Sequence, residues 1–211
     1  EAAVKNHRAG QHYDVVAMEN EFVPPLVADG LLAEIDHRNV PNFKNISANF
    51  RDLAYDPHNR YTVPFTWGTT GLVVRSDLTP TPVTRWADLW NARYAGKQLI
   101  WNSQRNLIGI ALKSLGYSVN SENPAELDAA LRQLLTLKAH ARTSEYDTTV
   151  GVQALGSGEA VIMYGWAGDA ILARARNQDI SYVLPAEGAI LWGDNYIIPA
   201  NSSNKYTAEL F

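Results

Sequence analysis

Short runs of β-branched and apolar residues alternate with helix-like segments from one end of the chain to the other, and this alternation restricts the fold to the α/β class. Residues 13–18 are expected to form a buried strand, followed by a loop at 19–21 and a helix stopping at Gly30. Residues 38–63, rich in Asn, Asp, Pro and His, are expected to run over the surface before an extended stretch at 61–65. Residues 66–74 are expected to be a strand broken by Gly68 and Gly71, and Thr79-Pro80-Thr81-Pro82 a stiff extended linker. Thr84 is placed as the cap of a short helix over 85–90, residues 96–101 as a strand, and 105–115 as a helix ended by Gly116.

Asn123-Pro124-Ala125-Glu126 combines a capping Asn, a Pro at the first helical position and an early Glu, which together satisfy free helical amides. Leu127, Leu131, Leu134 and Leu135 are expected to form the apolar stripe of that helix. Thr148 or Thr149 is the expected cap of the next one, ending near Gly156-Ser157-Gly158. A strand at 160–164, a helix at 167–176, a strand at 180–184 and a pair of extended runs around Trp192-Gly193-Asp194 follow, with a last turn from Ser203.

Composition narrows the function. With 211 residues, 46% hydrophobic and 19% charged, the chain can bury a sizeable core as one large domain or two small ones. Its 18 basic and 22 acidic residues give a net charge of −4 with no basic run, so the electrostatic footprint of a nucleic-acid binder is missing, and a mildly acidic surface favours a cationic ligand. The absence of cysteine excludes disulfides, thiolate metal sites and a cysteine nucleophile. No apolar run approaches the roughly 20 residues of a membrane-spanning helix. Residues 1–5 do not read as a signal peptide, so any export signal is expected to have been removed or to lie outside these residues.

The histidines His7, His12, His37, His58 and His140 form no i,i+4 pair, and no metal site is expected from them. Nucleophile-elbow, phosphate-loop and dinucleotide motifs are absent, and Asn45-Ile46-Ser47 matches a glycosylation sequon only as such tripeptides do by chance. Two segments stand out. Trp166-Ala167-Gly168-Asp169 and Trp192-Gly193-Asp194 each place an indole two or three residues before a carboxylate. An amine cation is attracted to the face of the ring and donates charge-assisted hydrogen bonds to the acid. The competing reading makes both tryptophans core residues, with Asp169 capping the following helix.

Trp67-Gly68-Thr69-Thr70-Gly71-Leu72 after Pro64-Phe65, Trp86-Ala87-Asp88-Leu89-Trp90, Gly158-Glu159-Ala160, Gly165-Trp166-Ala167-Gly168-Asp169, Pro185-Ala186-Glu187-Gly188 and the run from Trp192 through Asn201 occur in this order. In that order and spacing the chain resembles the periplasmic spermidine/putrescine-binding proteins of ABC transporters, solute-binding proteins of the extracellular family 1 type. The resemblance implies a type II periplasmic-binding fold, two α/β lobes with a ligand cleft between them, incomplete at both ends. Part of lobe 1 would be residues 1–75, lobe 2 residues 76–187, and 188–211 the return to lobe 1. By position, Trp166, Asp169 and Thr148 match ligand residues of the second lobe. Trp192 and Asp194 match those where the chain re-enters the first, and Glu19 and Asn20 match its contact loop loosely. The resemblance further implies a binder and not an enzyme, with a small cationic amine as ligand and no cofactor or metal. Its partners would be ABC transporter permease subunits, with no nucleic acid and with membrane contact only through the permease. Its location would be the periplasm or a surface lipoprotein.

Two departures qualify what the resemblance implies. Where relatives carry acids for the ligand's distal amine, this chain has Trp101-Asn102-Ser103-Gln104-Arg105-Asn106, which opens the way to a monoamine or a γ-amino acid whose carboxylate Arg105 would meet. Relatives also extend further at both ends. Alternatives from other classes are a two-lobed binder of another small ligand, and a glycoside hydrolase using Asp169 and Asp194 as its acid pair.

Overall fold

A computed structural model describes residues 13–211; His7, His12 and residues 1–5 lie outside the described residues. The chain divides into two compact units, Glu1–Trp67 with Trp192–Phe211, and Gly68–Leu191. Two strands carry the chain from one unit into the other, β2 (Thr62–Arg75) on the way out and β7 (Ile190–Ile197) on the way back.

In the first unit, β1 (Val16–Glu19) pairs antiparallel with β7 so that Val16 faces Ile197 and Glu19 faces Asp194, and β7 in turn neighbours β2. After a 3-10 turn at Asn20–Phe22, α1 (Val23–Ala28) begins with prolines in its first turn, where their missing amide protons cost nothing. It stops before Gly30, whose φ of +68° suits glycine. Val23 and Leu26 on α1 pack with Met18, Leu32 and Ile197 into this unit's core. The following 3-10 turns are anchored by buried polar residues: Asp56 accepts from the amides of Arg60 and Tyr61 and from the Thr62 hydroxyl, and Asn59 accepts from the amide of Asp52. The stretch expected to run over the surface is therefore tied down from inside.

The last helix, α6 (Lys205–Leu210), is fastened by the buried Glu209 carboxylate, which accepts from the Asp36 amide (2.8 Å) and the Asn39 side chain (2.7 Å) and pairs with Lys205. Burial pushes the Glu209 carboxyl up, but these three partners outweigh it and hold it below its ordinary value.

In the second unit the strand order is β2, β5 (Ile162–Trp166), β3 (Gln98–Trp101), β4 (Arg142–Ser144), with β6 (Ile180–Val183) also on β2. β5 and β6 run antiparallel to β2, whereas β3 is parallel to both β4 and β5. Each of the three mutually parallel strands leads into a helix: β3 into α2 (Gln104–Ser114), β4 into α4 (Thr148–Ser157) and β5 into α5 (Ala167–Arg174). α3 (Pro124–Lys138) lies between α2 and β4 in the chain. Leu72, Val73, Trp86, Leu99, Trp101, Ile162, Met163 and Tyr164 belong to one buried core, to which Trp86 is fixed by an indole hydrogen bond to the Gly188 carbonyl (2.9 Å).

Several local expectations are corrected. Gly68 and Gly71 do not interrupt β2, because Gly71 lies so close to Val183 and Tyr182 of β6 that a Cβ would sit 2.6 Å from the Val183 carbonyl oxygen. The pair of extended runs around Trp192 is one strand. α4 is capped by Asp147, whose carboxylate accepts from the amides of Thr149 and Val150, and not by either threonine. Thr84 caps nothing; its amide and that of Arg85 donate to Asp88. Asn123 caps α3 as expected, while Glu126 accepts from Ser121. On α3 the buried face is Ala130 and Leu137 with Leu134 partly buried, and Leu127, Leu131 and Leu135 are exposed. Small Ala130 shares a cluster with Ala111 and Leu112 of α2, which turns the leucine stripe aside.

Candidate functional site

The seven residues singled out fall into two groups, one in each unit. In the second unit, β5 ends at Trp166 and α5 starts at once, which puts Asp169 in the helix's first turn. The Asp169 side chain is buried, 3% exposed, and its lone pairs are largely occupied. Oδ2 accepts from the Trp166 amide (3.2 Å), and Oδ1 receives the hydroxyls of Tyr146 (3.0 Å) and Thr148 (3.2 Å). A Cβ at Gly165 would come within 3.1 Å of Oδ2, so any larger residue there would press on the carboxylate.

Tyr146 was not singled out in the sequence, and it organises the group. Its ring meets Trp166 edge-on at 4.7 Å and Trp101 edge-on at 5.4 Å, making an aromatic wall above the carboxylate. Burial raises the Tyr146 phenol, the Thr148 contact pulls it down, and the Asp169 charge raises it again, so the ring stays protonated and able to donate. An aromatic residue between two acids in Glu145-Tyr146-Asp147, directly before a helix start, was the signal available for it. Asn102, at the end of β3, donates to Glu145 (2.7 Å). Arg105 donates to the Val119 carbonyl and the Asn120 side chain.

In the first unit, strand alternation puts Trp192, Asp194 and Tyr196 on one face of β7 and Asn195 and Ile197 on the other, where Asn195 accepts from Tyr55. The β1–β7 register sets Glu19 directly across from Asp194, so two carboxylates are cross-strand neighbours. Burial raises the Asp194 carboxyl above its ordinary value. Glu19 is raised too, first by its surroundings and then by the charges of Glu21 and Asp194, although the residue keeps solvent access that tempers the effect. Trp192 is half-buried, and its indole Nε1 is enclosed without a hydrogen-bond partner among the described residues. Asn20, half-buried, opens the 3-10 turn that follows β1.

A separate cavity of about 260 Å³ in the first unit is lined by apolar residues such as Phe43, Ile46, Phe65 and Phe211. None of the seven lines it, and it offers nothing to hold a cation beyond the already paired Glu209. Among the described residues no group of three or more His, Cys, Asp or Glu is arranged to hold a metal ion, and no helix is long and apolar enough to cross a membrane.

Known proteins are similar to this chain. A family model described as bacterial extracellular solute-binding protein matches residues 1–211. The spermidine/putrescine-binding periplasmic protein of Escherichia coli is 34% identical over 205 residues, covering 97% of this chain and 58% of its own length. A putrescine/agmatine-binding protein of Pseudomonas aeruginosa is 32% identical over 208 residues, covering 88% of this chain and 55% of its own. A solved structure titled as a putative spermidine/putrescine ABC transporter from Listeria monocytogenes superposes with a TM-score of 0.88 at 27% identity, over 99% of this chain and 63% of that one. The chain thus spans somewhat more than half the length of these relatives. Its two-unit α/β architecture, its strand order and a family match along every residue lead to one conclusion: the chain belongs to the bacterial extracellular solute-binding protein family.

Proposed function

We propose that the protein is the substrate-binding component of an ABC transporter and that its ligand is a protonated amine of the putrescine or spermidine class. The observation that carries this reading is the Glu19–Asp194 pair. Two carboxylates held opposite each other beside an indole repel one another and resist ionisation, and an ammonium group relieves both costs at once. Trp192, Asp194, Glu19 and Asn20 are the proposed contacts in one unit, and Trp166, Asp169 and Thr148 those in the other. The work is capture and hand-over to permease subunits, without bond chemistry, at the periplasmic face or from a surface lipoprotein. Similarity to the named polyamine binders supports this reading, as does membership of a family of solute-binding proteins.

Calorimetric titration with putrescine, spermidine, agmatine and γ-aminobutyrate tests it. The amines are expected to bind, and Trp192→Ala or Asp194→Ala to weaken them about tenfold or more while leaving the circular dichroism spectrum unchanged. Absence of amine binding by the unaltered protein would overturn the reading. A second reading, a γ-amino acid ligand, has one observation in its favour: α2 starts at Gln104 with no side-chain cap and no acid in its first turn, a place where a carboxylate is welcome. Binding of γ-aminobutyrate in preference to putrescine would support it.

A further inference from the structure

The second unit has a problem of charge if it is to receive a cation. β3, β4 and β5 are parallel, so α2, α4 and α5 all begin at the same end of the sheet, and each helix start contributes partial positive charge there. Acids must reverse that sign, yet those in the helix starts are already engaged. Asp147 caps α4 through two amides. Asp169 is buried and holds one amide and two hydroxyls. The first turn of α2 contains no acid.

Glu145 is different. It is exposed, follows β4 directly, and one of its oxygens accepts from the Asn102 side-chain amide (2.7 Å). The main chain around both partners is held by strand pairing: Trp101 is in register with Ser144, and the Asn102 amide donates to the Ser144 carbonyl (2.8 Å). The acid is therefore held in place without being neutralised, and its neighbour in sequence is Tyr146, whose ring stands against Trp166 and Trp101.

Resting on the amine reading above, we infer that Glu145 is the specificity-determining acid of the second unit: it receives the ligand's second ammonium and repels a carboxylate in the same place. A diamine is thereby preferred over both an ω-amino acid and a monoamine. The Asn102 amide positions this acid and does not touch the ligand's charge.

The test is Glu145→Gln, which keeps the shape and the acceptor for Asn102 and removes only the charge, titrated with putrescine, butylamine and γ-aminobutyrate. Putrescine affinity is expected to fall about tenfold, butylamine to change by less than about twofold, and γ-aminobutyrate to bind no worse or better than before. Equal weakening of putrescine and butylamine would overturn the inference, as would unchanged putrescine affinity in a variant whose melting curve matches the unaltered protein. If the unaltered protein bound no amine at all, the underlying amine reading would fail first, a result distinguishable from either of these.

Discussion

Asp194 sits in an environment that disfavours its charge. Its carboxyl is raised by burial, and an acid whose folded-state pKa exceeds its unfolded value contributes stability that is complete below the unfolded pKa and lost as pH rises through the folded one. At neutral pH the ionised residue therefore works against the fold. Asp194→Asn is expected to raise Tm at pH 7 by about 1–2 °C while weakening amine binding, a pairing of signs that differential scanning calorimetry and titration read together. Glu19 is shifted in the same direction, so as pH falls into the raised carboxylate range both acids take up protons and amine affinity drops. Binding there releases protons, and its heat will vary with the ionisation enthalpy of the buffer. A pH-independent affinity across that range would show that these acids do not meet the ligand. Asp169, by contrast, is satisfied by protein donors, and its part is as much to hold Tyr146 and Trp166 in place as to supply charge.

At the level of the element, two glycines separate backbone need from mere tolerance. Gly71 sits in β2 where a methyl group would strike the Val183 carbonyl oxygen and the Tyr182 ring, whose hydroxyl donates to the Thr69 carbonyl (2.6 Å). Gly71→Ala must therefore push β6 away, at a cost of about 2–4 kcal/mol. Gly156, in α4, has open space where its Cβ would be, so Gly156→Ala is expected to stabilise by about 0.5–1 kcal/mol through helix propensity and reduced unfolded-state entropy. Urea midpoints moving in opposite directions would verify both; equal shifts would mean that the β2–β6 contact is looser than described. The same contrast explains why Gly71 looked like a strand breaker in the sequence. Glycine weakens a strand in isolation, but close approach of a neighbouring strand demands it.

For the whole molecule, the proposed binding has a measurable consequence. Putrescine at about a hundred times its Kd adds about 2.7 kcal/mol to the folded state, and amide exchange should slow around the residues named in each unit, over residues 16–22 and 192–197 in one and 144–150 and 165–170 in the other. Protection confined to one unit would show that the ligand engages only half of the residues named. Much of the architecture was legible because its signals are local: alternating β-like and helical stretches, glycines of positive φ at Gly30, Gly116 and Gly158 next to helix ends, the Asn123 cap, and indoles close to acids. Composition and short-range backbone preference determine these within a few residues. Tertiary structure alone decided which face of α3 is buried, that β2 runs unbroken, that Asp147 caps α4, that Glu19 lies across from Asp194, and that Tyr146 and Glu145 join Trp166 and Asn102. Except for the capping of α4, whose choice among neighbouring candidates is a matter of local geometry, these depend on strand register and helix docking between residues distant in the chain, and no local preference of either partner encodes the meeting.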